Sequence, residues 1–147
     1  MNPEPVEILL IEDNPNDAEL ALYSLGKYGM ASRVLVVHDG AEALDFIFCK
    51  GAFANRDPRF MPRVVLVDLK LPKIDGLEVV RQVKANPKTR FVPMVILSSS
   101  REQRDIANCY EAGANSYIVK PMEFDLFEEA IRQMGIYWTR LSQPPQP

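Results

Sequence analysis

Five short apolar runs, spaced along the chain and each followed by polar or charged residues, constrain the fold more than any other feature. The runs are Glu7 to Ile11, Val34 to Val37, Val64 to Val67, Met94 to Leu97 and Tyr117 to Val119. They are apolar nearly throughout instead of alternating, which is typical of strands buried on both faces of a parallel sheet. The sequence therefore predicts a doubly wound α/β fold with helices on both faces of a five-stranded parallel sheet.

The segments between the runs carry apolar residues at helical spacing. Helix one is expected from about Asn14 to Asp17 onward, with Gly29 as its stop, and helix two begins at Asp39-Gly40. Their predicted inward residues are Ala18, Ala21, Leu22 and Leu25, then Ala43, Leu44 and Ile47. Helix three follows the turn Leu71 to Gly76, helix four runs from about Gln103 to Ala112 before Gly113, and the last helix extends from Phe124 towards Arg140.

The segment from Cys49 to Arg63 has no helical or strand period, so we expect a long connection. Its apolar residues Phe53, Phe60 and Met61 predict that parts of it pack against the body. Cys49 and Cys109 match no metal or redox spacing and are interpreted as reduced, structural thiols.

Composition limits the classes of protein to which the chain can belong. At 147 residues it suits one domain, with a core over about 7–140 and a proline-rich tail over 142–147. No apolar stretch is long enough to cross a bilayer, and the first residues lack a signal-peptide pattern, so a cytoplasmic protein is expected. A net charge of -3 argues against nucleic acid as a partner.

Polar residues follow four of the predicted strands. They are Glu12 and Asp13 after strand one, Asp68 after strand three, Ser98 after strand four and Lys120 after strand five. The carboxyl ends of parallel strands meet at one edge of a sheet, where ligands bind. Clustered carboxylates repel one another unless a cation intervenes, and Mg²⁺ takes such oxygen ligands together with phosphate oxygens. A lysine and a hydroxyl then suit the remaining oxygens of a phosphoryl group.

With these motifs in this order, the chain resembles a response-regulator receiver domain of the CheY type over about 7–140. The resemblance implies a flavodoxin-like sheet of strand order 2-1-3-4-5. It implies that Asp68 is the phosphoacceptor, and that Mg²⁺ is held by Asp13, Asp68 and the Lys70 backbone carbonyl, with Glu12 acting through water.

The resemblance also assigns residues around the phosphoryl group. Ser98 stands at the family's hydroxyl position, Lys120 at its lysine and Tyr117 at its switch aromatic, and Lys120-Pro121 would be the family's cis peptide. His38 lies outside the proposed pocket, because the phosphodonor histidine would belong to a partner kinase. A phosphoryl group on Asp68 should draw in Ser98, so that Tyr117 rotates inward and reshapes the surface of helix four, strand five and helix five.

The long connection and the sequence from Asp68 to Pro72 resemble receivers that partner phytochrome-type histidine kinases in bacteria. Another stand-alone receiver remains the alternative at this point. A hydrolase that cleaves its own aspartyl phosphate would place a second acid two residues after the nucleophile, where Lys70 stands. A degenerate receiver acting only as a scaffold is the third reading, and the chain is expected to catalyse only its own phosphorylation and slow autodephosphorylation.

The last helix carries more apolar residues than one buried stripe requires. Phe124, Phe127, Ile131, Met134, Trp138 and Leu141 can face the sheet, whereas Leu126, Ile136 and Tyr137 lie elsewhere on the same helix. A symmetric homodimer through this helix would cover the excess. A helix end that folds onto the body is the alternative.

Overall fold

A five-stranded parallel sheet, in the order β2-β1-β3-β4-β5, forms the centre of the molecule. The structure is a computed structural model that describes residues 5–30 and 33–145. The strands are β1 Ile8–Ile11, β2 Val34–Val37, β3 Val64–Val67, β4 Met94–Ser98 and β5 Ser116–Val119. Ile8 in β1 pairs with Val34 on one side and Val64 on the other. The predicted doubly wound fold and its strand order are confirmed.

In the part of the chain that the structure describes, five α-helices alternate with the strands, and three of them begin at a side-chain cap. They are α1 Pro15–Gly26, α2 Gly40–Ile47, α3 Gly76–Ala85, α4 Gln103–Ala112 and α5 Phe124–Ile136. Asn14, Asp39 and Asp75 each accept hydrogen bonds from backbone N–H groups in the first turn of the helix that follows. The capping residues of α4 and α5, Glu102 and Glu123, make no such side-chain bond.

Alternate residues of the strands feed two buried clusters, one on each face of the sheet. Leu9 and Ile11 belong to the cluster that includes residues of α2, α3 and α4. Ile8 and Leu10 belong to the other cluster, which includes residues of α1 and α5. Because both faces of the sheet are covered, the side chains of the strands are nearly all apolar, which explains the pattern in the sequence.

Two details of the predicted helices are wrong. The first helix ends at Gly26, before Gly29, which adopts a φ of +75° in the following turn. Leu22 is only half-buried, and Ser24 is buried in its place, because its hydroxyl donates a hydrogen bond to the Leu20 carbonyl at 3.0 Å.

The C-terminal helix departs from the prediction at both ends. Phe127, Ile131 and Met134 are buried as predicted, but Phe124 and Leu141 are exposed and do not face the sheet. Phe124 lies in the first turn, and Leu141 ends a π-helical turn, Tyr137–Leu141, that continues α5. Both residues therefore lie at or beyond the ends of the helix that covers the sheet.

The connection between α2 and β3 packs against the body through some of its apolar residues. Gly51–Phe53 forms a 3-10 turn, and Phe53 meets Phe46 edge to face at 5.1 Å. The Arg56 guanidinium lies 4.2 Å from the centre of the Phe46 ring and donates to the Phe60 carbonyl. The prediction that Phe60 packs down is wrong, because its side chain is exposed while its backbone carries the contact.

Residues 142–145 of the expected tail form no helix or strand, and the last two residues of the tail lie outside the described residues. Both cysteines are free thiols, with Cys109 buried and Cys49 accepting a hydrogen bond from Arg56. Within residues 5–30 and 33–145, no helix has the length and apolar character needed to cross a bilayer.

Candidate functional site

Glu12 is placed by the end of β1 and is almost entirely buried. Its backbone N–H donates to the Val37 carbonyl at 3.0 Å, which continues the pairing of β1 with β2. Only 3% of the residue is exposed. One carboxylate oxygen accepts a hydrogen bond from Lys120 Nζ at 2.7 Å, so the buried charge has a partner.

Asp13 and Asp68 complete a group of three carboxylates. Asp68 follows β3, and its backbone N–H donates to the Ile11 carbonyl at 3.1 Å, which fixes it beside the end of β1. One oxygen from each of Glu12, Asp13 and Asp68 lies within 4.8 Å of the others. Asp13 is exposed and Asp68 is half-buried, so the group opens to solvent on one side.

Lys120 reaches the same group from the end of β5. Its ammonium nitrogen lies 2.7 Å from Glu12, 3.1 Å from Asp17 and 3.8 Å from Asp68. The predicted cis geometry of Lys120-Pro121 is wrong, because this peptide bond is trans. An X-Pro bond admits both isomers at a small energy difference, and the trans bond still lets Lys120 reach its carboxylates.

Burial and charge shift the protonation of the two innermost groups. Burial raises the pKa of Glu12 to about 7, and the neighbouring Asp68 carboxylate adds to the rise against the opposing effect of Lys120. Burial alone would lower the pKa of Lys120, but its hydrogen bond to Glu12 and the charges of Glu12 and Asp68 raise it overall. Lys120 therefore remains an ammonium in this group.

Ser98, the last residue of β4, and Tyr117, in β5, both bond to Ser100 in the loop between β4 and α4. The Ser98 hydroxyl accepts a hydrogen bond from the Ser100 N–H at 3.2 Å. The Tyr117 hydroxyl donates to the Ser100 carbonyl at 2.9 Å, and its ring packs against the cluster on the α2, α3 and α4 face. We call this half-buried position of Tyr117 inward, and in it the hydroxyl joins Tyr117 to the Ser98 loop through Ser100.

Close backbone packing positions Asp68. A Cβ atom on Gly76 would lie 2.2 Å from the Asp68 carbonyl oxygen, a distance that a side chain cannot occupy. The Lys70 N–H donates to an Asp68 carboxylate oxygen at 3.2 Å, so the turn after β3 folds back over the carboxylate. His38, expected outside the pocket, lies at its edge, with Nδ1 3.3 Å from the Glu12 carbonyl oxygen.

Sequence reasoning missed two contributors to this region. Asp17, in the first turn of α1, accepts a hydrogen bond from Lys120, and its position four residues after Asp13 was a usable signal. Asp105, in the first turn of α4, accepts one from the Ser100 hydroxyl at 2.5 Å. No local pattern marks this second contact, because it depends on how the loop before α4 folds.

The side chains of the cluster fit a hard divalent cation. All three candidate donors are carboxylates, the donor type that Mg²⁺ and Mn²⁺ accept, and no sulfur or imidazole atom belongs to the cluster among the described residues. A single lysine balances only part of their charge. An acidic, oxygen-only site of this kind suits a magnesium ion better than a zinc ion.

Comparison with known proteins agrees with this arrangement. A family model described as response regulator receiver domain matches residues 8–132. Response regulator Rcp1 of Synechocystis sp. is 36% identical over 138 residues, which cover 93% of this chain and 90% of Rcp1. The crystal structure of the Mn(2+)-bound form of Rcp1 matches with a TM-score of 0.85 at 29% identity, over 97% of this chain and 99% of that one.

Two further solved structures match almost the whole chain. The phosphorylated cyanobacterial phytochrome response regulator RcpA has a TM-score of 0.88 and 31% identity, over 97% of this chain and 100% of that one. The bacteriophytochrome response regulator AtBRR is 48% identical with a TM-score of 0.72, over 97% of this chain and 100% of that one. Sequence, fold and site agree, and the chain belongs to the response regulator receiver domain family of two-component signalling.

Proposed function

We propose that this chain receives a phosphoryl group on Asp68 from a histidine kinase, and that the phosphoryl group switches the surface formed by α4, β5 and α5. The observation that carries the proposal is the shared opening in which Asp68 lies beside Glu12 and Asp13, with Lys120 Nζ 3.8 Å from its carboxylate. A carboxylate nucleophile next to a cation-binding group and an ammonium is suited to phosphoryl transfer.

The residues of the site have distinct roles in the proposal. Mg²⁺ would be held by Asp13, Asp68 and the Lys70 backbone carbonyl, with Glu12 acting through water. When bound, the ion would neutralise charge on the incoming phosphoryl oxygens. An Asp68 oxygen forms a bond to phosphorus while the bond between phosphorus and the kinase histidine breaks, and the histidine keeps the electron pair.

Lys120 and Ser98 would act on the transferred group. Lys120 offers a positive charge that is held in place by Glu12 and Asp17, so it need not reorganise during transfer. The Ser98 hydroxyl accepts one hydrogen bond from the Ser100 N–H, which leaves its own hydrogen free to donate to a phosphoryl oxygen.

The hydrolase alternative is less well supported by the surroundings of Asp68. The residue two positions later is Lys70, which is exposed and offers no carboxylate to activate water. Slow autodephosphorylation is therefore expected. The scaffold alternative would leave the grouping of Glu12, Asp13, Asp68 and Lys120 without a purpose.

A phytochrome-type histidine kinase is the partner that we propose, with the encounter in the cytoplasm. The support is the similarity to proteins described as phytochrome response regulators, RcpA and AtBRR. A groove of about 430 Å³, lined by residues of α1 that include Leu20 and Tyr23 and by Phe124, lies beside the Asp17 end of α1. Its exposed aromatic side chains, Tyr23 and Phe124, would give the kinase an apolar surface on the helix that carries Asp17.

Homodimer formation through the last helix is part of the same proposal. Leu126, Tyr137 and Leu141 are exposed, at 56%, 49% and 66%, and lie at spacings that keep them near one face of the helix. A symmetric contact through this face would bury all three from each copy. The downstream partner that reads the switched surface is left open.

The test of the phosphoacceptor is labelling by acetyl phosphate, a small donor that needs no kinase. We expect labelling that requires Mg²⁺, is abolished in Asp68→Asn and is strongly reduced in Asp13→Ala. Glu19→Gln, which removes an exposed carboxylate of α1 outside the cluster, is the control and should label normally. Wild-type labelling of Asp68→Asn would end the proposal.

The test of the partner is phosphotransfer from a panel of purified histidine kinases that includes a phytochrome-type kinase. We expect that kinase to transfer faster than the others at equal concentration. Faster transfer from an unrelated kinase would contradict the phytochrome assignment and leave the phosphoacceptor intact.

A further inference from the structure

Ser100 connects three parts of the molecule through its own polar groups. Its N–H donates to the Ser98 hydroxyl at 3.2 Å, and its carbonyl accepts from the Tyr117 hydroxyl at 2.9 Å. Its side-chain hydroxyl donates to an Asp105 carboxylate oxygen at 2.5 Å. One residue thus joins the hydroxyl of the site, the aromatic residue of β5 and the first turn of α4.

The start of α4 is bonded to the preceding loop through Ser100 and not through the side chain of its own capping residue. Glu102, at the capping position, makes no side-chain bond to the helix, and its own N–H is 3.3 Å from the Ser100 hydroxyl oxygen. Asp105 is the acidic residue of the first turn. Its carboxylate therefore holds the serine that in turn satisfies a backbone N–H at the start of the helix.

We propose that the Ser100 to Asp105 hydrogen bond stabilises the conformation in which Tyr117 lies inward, and that Ser100 and Asp105 are positioning residues of the switch. This inference rests on the proposed function for its role in signalling. Asp105 is on α4 and is not one of the three clustered carboxylates, so in this proposal it acts through Ser100.

The Ser100 to Asp105 hydrogen bond can stabilise the inward conformation because of its strength and its position. A hydroxyl that donates to a carboxylate makes a shorter and stronger bond than one between neutral groups. The bond fixes Ser100, and with it the carbonyl that receives Tyr117 and the N–H that receives Ser98. Without it, the loop loses an anchor on α4, and the inward conformation becomes a smaller fraction of the population.

The expected effect is a weaker response to a phosphoryl analogue. A ligand that binds the inward conformation has an apparent affinity reduced by the fraction of molecules in that conformation. If loss of the bond changes the equilibrium constant by about tenfold, Asp105→Ala should need up to about tenfold more beryllofluoride for half-saturation. Asp105→Asn keeps an acceptor oxygen but loses the charge, so its half-saturating concentration should lie between those of wild type and Asp105→Ala.

The experiment uses the full chain labelled with 3-fluorotyrosine, and follows Tyr117 by fluorine NMR during titration with beryllofluoride and Mg²⁺. The Tyr117 signal is assigned by its loss in Tyr117→Phe. The variants are Asp105→Ala, Asp105→Asn and Ser100→Ala. The matched control is Asp125→Ala, which removes the first-turn acid of α5, a carboxylate with no hydrogen bond within the described residues.

The inference predicts that Asp105→Ala and Ser100→Ala shift the Tyr117 signal in the same direction before any addition, and that both raise the half-saturating concentration. Asp125→Ala should resemble wild type, and Asp105→Asn should lie between wild type and Asp105→Ala. A Tyr117 signal and titration in Asp105→Ala equal to wild type would overturn it. If Asp105→Ala does not fold, the Tyr117 signal and the half-saturating concentration are compared between Ser100→Ala and Asp105→Asn. The inference then predicts the larger change in Ser100→Ala, and equal values in the two variants would overturn it.

Failure of the proposed function would look different. A response to beryllofluoride in Asp68→Asn, or none in wild type, would remove the phosphoacceptor role. In that case the Tyr117 signal without beryllofluoride still tests the inference, because the shift in Asp105→Ala is expected whether or not Asp68 accepts a phosphoryl group.

Discussion

Replacing Asp13 with asparagine should stabilise the protein when no divalent cation is present, although most substitutions destabilise a fold. Oxygens of Glu12, Asp13 and Asp68 lie within 4.8 Å of one another. Two unit charges 4.8 Å apart repel by about 0.9 kcal/mol in a water-like dielectric, which is appropriate to the exposed Asp13. With Asp68 ionised, Glu12 partly ionised near neutral pH because its pKa is raised to about 7, and Lys120 compensating in part, we expect a gain of up to about 1 kcal/mol in the free energy of unfolding.

Magnesium should reverse the order of stability. At a free concentration ten times the dissociation constant, Mg²⁺ stabilises the wild type by about 1.4 kcal/mol. For a domain of this size, that corresponds to a rise in Tm of about 3–6 °C. Asp13→Asn lacks a charged ligand and should gain little at the same concentration, so the wild type becomes the more stable protein.

The assay is thermal unfolding of both proteins, followed by circular dichroism in chelator and then across a series of Mg²⁺ concentrations. Glu19→Gln, in the middle of α1 and outside the cluster, is the control and should behave as wild type throughout. The reasoning is refuted if Asp13→Asn is less stable than wild type in chelator, or if it keeps the full magnesium-dependent rise in Tm.

Three further changes have expected outcomes. Gly76→Ala places a Cβ atom 2.2 Å from the Asp68 carbonyl oxygen, and should lower the free energy of unfolding in urea by about 2–3 kcal/mol. Ser98→Ala should still be phosphorylated but fail to switch, so that amide hydrogen exchange over 101–117 no longer responds to beryllofluoride and Mg²⁺. Leu126→Lys, at an exposed position of α5, should leave the fold intact and lower the mass measured by light scattering at tens of micromolar.

Two of these changes have a matched control. Gly135→Ala meets the flexible end of the Leu25 side chain at 2.8 Å and should cost less than Gly76→Ala. Ser99→Ala alters an exposed neighbour of Ser98 and should keep the exchange response. Equal losses in the two glycine variants, equal responses in the two serine variants, or a monomeric wild type with and without beryllofluoride would each contradict the corresponding expectation.

The strands and the residues that end them could be predicted from the sequence because a parallel sheet imposes strong constraints. Its strands are apolar on both faces, so a run such as Val64 to Val67 is recognisable alone. The residue that follows the run must lie at the edge of the sheet where the other strands end. This is why Glu12, Asp68 and Lys120 could be expected together before their distances were known.

The contacts made by long side chains and loops could not be predicted in this way. Lys120 has enough length to reach Asp17 as well as Glu12, and the choice depends on where α1 lies over the edge of the sheet. The bond between Ser100 and Asp105 depends on the path of a loop without a regular period. Likewise, apolar spacing cannot show that Phe124 begins a helix whose first turn extends beyond the covered sheet.

The most direct test of the central claim is chemical identification of the phosphorylated residue. After reaction with acetyl phosphate and Mg²⁺, borohydride reduces an aspartyl phosphate to homoserine, which peptide mass spectrometry can locate. The account predicts homoserine at position 68 of the wild type, dependent on Mg²⁺, and none elsewhere in the chain. Phosphate on another residue, or conversion of another aspartate in place of Asp68, would contradict it.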